Sequence, residues 1–142
     1  MADVSAIRAA LRSRLLTLVG NDGDAYTYWQ QEPHTPSFMI SAIGPTDYDS
    51  TFGRGSDNIT ITITATTSSG LDEAAQRQID DWCDTSGSTS VKAALETERP
   101  AAVTLGGLVS ACRVTGHTEP RPVVLKNGTE AWQVDFTLTL IT

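Results

Sequence analysis

From Asn58 to Thr67 the chain alternates without a fault: Ile59, Ile61, Ile63 and Ala65 interleave with Thr60, Thr62, Thr64 and Thr66. A period of two places the apolar set on one face of a strand and the threonines on the other. A strand with one apolar and one wet face belongs in an antiparallel sheet that has one side on a core. Something must therefore cover the isoleucine face. A second alternating run closes the chain, with Trp132, Val134, Phe136, Leu138 and Leu140 facing one way. Before it stand Val123-Val124-Leu125-Lys126 and then Asn127-Gly128. Asn-Gly between two apolar runs predicts a hairpin with a two-residue turn.

The cover is supplied by stretches of helical period. From Asp3 to Val19, apolar residues recur at Val4, Ile7, Leu11, Leu15 and Leu18, the spacing of one helix face. Asp3 or Ser5 is placed to cap its start, and Gly20-Asn21 to end it. Leu71 to Cys83 repeats the pattern with Leu71, Ala74, Ala75, Ile79 and Trp82. Asp72 and Glu73 stand in its first turn, where the helix dipole favours acids. Ser88 to Ser90 offers caps for a short third helix ending at Glu96 or Glu98, before the break at Arg99-Pro100.

Three further stretches read as extended. Ala25–Gln31 and Phe38–Ile43 are rich in aromatic and branched residues, and Pro33 and Pro36 interrupt them. Val103–Thr118 is extended and broken by Gly106-Gly107. A long polar loop is expected over about 44–57. The fold class is α+β: one domain over residues 1–142, with a mostly antiparallel sheet of four to six strands. Two or three helices pack on one face of it, in the order α, β, β, β, α, α, β, β, β.

A chain of 142 residues buries about 70% of its unfolded surface, enough for a core without disulfides or structural metal. Cys83 and Cys112 are therefore read as reduced structural thiols. No run of about 20 apolar residues occurs, and no secretory leader is evident at the N-terminus, so synthesis in the cytoplasm is expected. The net charge of −7, with Lys92 and Lys126 the only lysines, argues against non-specific nucleic-acid binding. Arg8 and Arg12, four residues apart, share a helix face opposite the apolar stripe. They form either a solvated face or a contact for an acidic partner surface.

Catalytic signals are absent from the sequence. His34 and His117 sit beside turn residues and belong to no nucleophile-pairing motif. There is no Gly-x-Ser-x-Gly elbow, Cys-x-x-Cys or His-Glu-x-x-His. Asn21-Asp22-Gly23-Asp24 lacks the ligand count of a calcium loop. Asp80, Asp81 and Asp84 have no His or further carboxylate placed to complete a metal shell. Gly53-Arg54-Gly55 precedes a strand rather than a helix, unlike a phosphate loop. The chain is read as non-enzymatic, with no cofactor and no metal.

Several stretches carry a resemblance. They are Ser90-Val91-Lys92-Ala93-Ala94-Leu95-Glu96, Leu105-Gly106-Gly107-Leu108, Arg113-Val114-Thr115-Gly116 and the alternating strand Trp132 to Leu140. Together with the opening helix, the proline-bearing strand pair and the Asn58–Thr67 strand, they resemble the tail terminator proteins of long-tailed bacteriophages. The similarity covers nearly the whole chain as a diffuse pattern. It implies a structural virion protein that forms a homo-oligomeric ring, usually of six copies, on the finished tail tube. The ring would end tube polymerisation and offer the surface for head-tail joining.

The implied partners are copies of the chain itself, the tail tube protein and a head-side connector. DNA would pass through without specific binding, and no membrane is involved. The implied location is the tail and neck of the virion, after synthesis in the host bacterial cytoplasm. Another neck or head-closure protein of the same virion is the alternative, and an unrelated small enzyme or ligand-binding domain is a further one. A ring needs two different patches to meet. The candidate interface residues are Arg8 and Arg12 against Asp80, Asp81 and Asp84, together with a sheet edge and Tyr48, Phe52 and Arg54 of the long loop.

Overall fold

The computed structural model describes residues 4–19, 23–30, 36–47, 57–67, 73–84, 87, 89–96, 111–126, 128 and 130–141. Among the described residues, three helices and six strands follow the expected order: α1 (Val4–Val19), β1 (Asp24–Tyr26), β2 (Ser37–Asp47), β3 (Asn58–Thr66), α2 (Glu73–Cys83), α3 (Val91–Leu95), β4 (Ala111–His117), β5 (Arg121–Val124) and β6 (Glu130–Ile141). All six strands join one sheet in the order β1-β2-β3-β6-β4, with β5 also on β6. Every pairing is antiparallel except β1 with β2. The fold is α+β.

The two alternating runs lie at its centre, side by side. Ile59, Ile61, Ile63 and Ala65 of β3 stand opposite Leu140, Leu138, Phe136 and Val134 of β6, so both apolar sets share one face. All eight are buried. The helices cover that face with Ile7, Leu11, Leu15 and Val19 from α1, Ile79 and Trp82 from α2, and Val91 and Leu95 from α3. The rings of Trp82 and Phe38 meet at 4.6 Å, tilted by 53°. Burying each such side chain stabilises the fold by about 1.5–3 kcal/mol, which is why the period decides the layer. Ala74, expected on the buried side of α2, is exposed, and Val4 is exposed at the start of α1.

Three local expectations are revised. β1 ends at Tyr26 rather than Gln31, having only three ladder partners, Ser37, Phe38 and Met39. At its start the chain is tight: a Cβ on Gly23 would lie 2.2 Å from the Pro36 carbonyl oxygen. That same oxygen accepts the Asp24 N–H at 3.1 Å, so glycine is what lets the strand enter.

β2 continues past Ile43, pairing Thr46 with Ile59 and Asp47 with Asn58. Two register shifts, after Ile40 and after Ile43, break the period there, which is why Gly44–Asp47 reads as loop in the sequence. Residues 48–56, the remainder of that loop, lie outside the described residues, as do Leu71, Ser88, the caps Asp3, Gly20 and Asn21, and Leu105-Gly106-Gly107-Leu108.

The hairpin is real but its turn is not the two-residue one. The last ladder pair is Val124 with Glu130, leaving five connecting residues. Gly128 donates its N–H to the Leu125 carbonyl at 2.8 Å, and its φ of +87° needs glycine. The hairpin is also longer than the sequence suggests. Gln133 is partnered by Thr66 and by Arg121 at once, so β5 lies on the edge of β6 away from β3, the edge β4 occupies. β4 and β5 thus form one interrupted strand along β6, kept in line at Thr118, whose N–H donates to the Asp135 carbonyl at 2.9 Å.

Candidate functional site

The face of the sheet away from the helices is polar, and its side chains are bonded to one another. The Thr64 hydroxyl lies 2.9 Å from Ser41 Oγ and 2.8 Å from Asp135 Oδ1. Ser41 donates to the Thr62 carbonyl at 3.2 Å, so its oxygen and the Asp135 carboxylate share the one Thr64 proton. Arg121 Nη2 reaches Asp135 Oδ2 at 3.4 Å and donates to Gln133 Oε1 at 3.1 Å. Gln133 Nε2 in turn donates to Thr66 Oγ1 at 3.1 Å. Side chains from β2, β3, β6 and β5 are stitched into one network. Because its members satisfy each other, this floor is held rigid.

Beside the network lies an open groove of about 790 Å³. Trp29 borders it on one side; Val123, Val124 and Leu125 of the hairpin tip border it on the other. Met39, buried although it faces away from the main core, lines it as well. Among the described residues, five large apolar side chains are exposed: Val4, Tyr28, Trp29, Val124 and Ile141. Trp29 and Val124 are the most exposed of them, at 57% and 69%, and both line the groove. Tyr28 adjoins Trp29 in the chain. Apolar surface gathered at one place marks contact with another molecule more than the same residues scattered singly would.

Arg8 and Arg12 do not form a solvated face. Arg12 Nε donates to the Ala25 carbonyl at 2.8 Å, and its guanidinium lies 3.7 Å from Asp24. Arg8 donates to the Thr27 carbonyl and stands over the Tyr28 ring, 4.3 Å from its centroid. Arg12 is thus engaged with β1, and Arg8 with the turn after it and, at 3.4 Å, with the Ile40 carbonyl of β2. Asp80, Asp81 and Asp84 are exposed on or just beyond α2, and among the described residues they carry no ion pair. Asp81 lines a second groove, of about 530 Å³, with Leu18, Arg77 and Thr89. The arginine and aspartate groups are not brought together within one chain. Tyr48, Phe52 and Arg54 lie outside the described residues, as does His34.

Chemistry elsewhere is sparse. His117 is exposed, with Nδ1 2.8 Å from the Thr118 carbonyl oxygen and its ring packed near Phe136. Cys83 and Cys112 are free thiols. Burial pushes the Cys83 thiol up to about 11, with Asp80 and Asp84 adding to the effect. No group of three metal-ligating side chains occurs among the described residues, and none of their helices is long and apolar enough to cross a membrane. No family model and no curated protein matches this chain.

The residues that sequence reasoning missed are Trp29, Val124, Arg121, Gln133 and Asp135. Two signals pointed to them. Gln133 and Asp135 replace threonine-like residues on the wet face of the last strand, and Tyr28-Trp29 leaves two aromatics together before a proline-broken stretch.

Proposed function

We propose that this chain is a structural subunit of a phage tail, a tail terminator that rings the end of the tail tube and stops its growth. The observation that carries the reading is the outer sheet face. At its centre Thr64, Asp135, Arg121, Gln133 and Thr66 are bonded to one another, and beside them stand Trp29 and Val124, the most exposed large apolar side chains among the described residues. That combination suits coverage by a protein surface better than capture of a small polar substrate. The element order and the sheet with helices on one face agree with what the resemblance implies. The acidic surplus of −7 suits a subunit beside a DNA conduit, where repulsion keeps the nucleic acid from sticking.

The test is tube length. The tail tube protein of the same genome is polymerised with and without this chain and viewed by negative-stain electron microscopy. Shorter tubes with an added density at one end are expected. Unchanged, uncapped tubes would overturn the terminator reading, and binding to the portal side instead would assign the chain to the head-side neck.

A further inference from the structure

A sheet with open ends normally offers two rows of unpaired main-chain groups to any passing strand. Among the described residues the ends are β1 and the β4–β5 strand. Each is met by a pair of charged side chains four residues apart on a helix. At the β1 end, Arg12 occupies the Ala25 carbonyl and Arg8 the Thr27 carbonyl, while Asp24 Oδ1 accepts the Ala25 N–H at 2.8 Å. At the β4 end, Glu96 Oε1 accepts the Val114 N–H at 2.9 Å. Lys92 Nζ lies 3.4 Å from the Val114 carbonyl oxygen and is itself paired with Glu96. Val114 stands opposite Leu138 in the ladder, yet its main-chain groups are spent on α3 rather than on β6.

We propose that Lys92 and Glu96 are an edge lock: they occupy the main-chain groups through which β4 would otherwise take up the β4 strand of a second copy. The spacing explains how five residues of helix manage it. Lys92 stands in α3 and Glu96 is its C-cap, one turn on, so a cation and an anion reach one residue's C=O and N–H together. A carboxylate is the strongest acceptor a protein has for an N–H, and an incoming strand must displace it before pairing. At the β1 end the Ala25 groups are occupied in a similar way, its C=O by Arg12 and its N–H by Asp24. A subunit meant to assemble by its faces is thereby kept from assembling by its edges. The proposal stands whether or not the tail-end reading does, since it concerns the free chain.

The test compares Glu96→Ala, Glu96→Gln and Val91→Ala in the full-length protein. Association is followed by sedimentation over a concentration series, intermolecular sheet by the amide I band, and the Val114 amide by hydrogen exchange. Glu96→Ala is expected to associate beyond the wild type at about tenfold lower concentration, the scale of one recovered hydrogen bond. It should gain intermolecular sheet and lose protection at Val114. Glu96→Gln keeps an oxygen for the Val114 N–H and should remain with the wild type. Val91→Ala weakens the same helix through a core cavity without opening the edge, and it too should not associate.

Glu96→Ala behaving as wild type, or Val91→Ala associating equally, would overturn the proposal. Should Glu96→Ala fail to fold, Lys92→Ala frees the carbonyl alone, and no gain in association there would overturn it as well.

Discussion

Cys112 is 3% exposed in the sheet face under the helices, and its environment favours the neutral thiol. Burial is the main cause, the nearby Glu96 carboxylate adds to it, Arg14 opposes it, and the value is pushed up from 9.0 to about 12. A group whose value rises on folding contributes stability that is complete below the unfolded value and is lost as pH climbs through the folded one. The unfolding free energy should therefore fall between pH 9 and about 12, and Cys112→Ala should flatten that slope. Urea titrations across the alkaline range measure it. At pH 8 the folded thiol should react with a disulfide reagent at least about a hundredfold more slowly than the unfolded chain, because the thiolate is the nucleophile. The two cysteines were legible as structural thiols from their number and spacing. Their depth was not, because burial belongs to the packed layers.

At the scale of elements, short pieces depend on what their ends bind. α3 has five residues, too few to hold a helix by propensity. Ser90 fixes its start: Oγ accepts the Ala93 N–H at 3.1 Å and donates to the Asp84 carbonyl, tying α3 to the end of α2. Ser90→Ala should cost about 1–2 kcal/mol, seen as a lower urea midpoint with an unchanged slope. The serine-rich start and the helical spacing of Val91 and Leu95 made α3 readable in advance. Gly44–Asp47 was not readable as strand, since register shifts disguise a period that only the partner strand reveals.

For the whole molecule, the layers assign separate tasks to the two sides of the sheet. One side carries the helices and the core. The other carries a self-satisfied polar floor and an apolar rim at Trp29 and Val124. Exposed side chains that touch little in the monomer change its stability by no more than about 0.5 kcal/mol when replaced. Trp29→Ala with Val124→Asp should then leave the urea midpoint nearly unmoved while abolishing tube capping in the electron-microscopy assay. Loss of folding together with capping would count against the groove as an interface. Arg8 and Arg12 bond main-chain carbonyls of their own chain.

The sequence by itself determined the kinds of element, their order, and which face of the long regular ones is apolar. Those properties repeat with periods of 2 and 3.6 and depend only on near neighbours. Tertiary structure alone decided the parallel seat of β1, the joining of β4 and β5 into one interrupted strand, and the meeting of Arg12 with Ala25 and of Glu96 with Val114. It also brought Ser41, Thr64, Arg121 and Asp135 together from four strands. Each of these depends on which elements come side by side and on bonds between residues of different elements. A contact of that kind leaves no period in the sequence, because it depends on where two elements meet rather than on how either one is built.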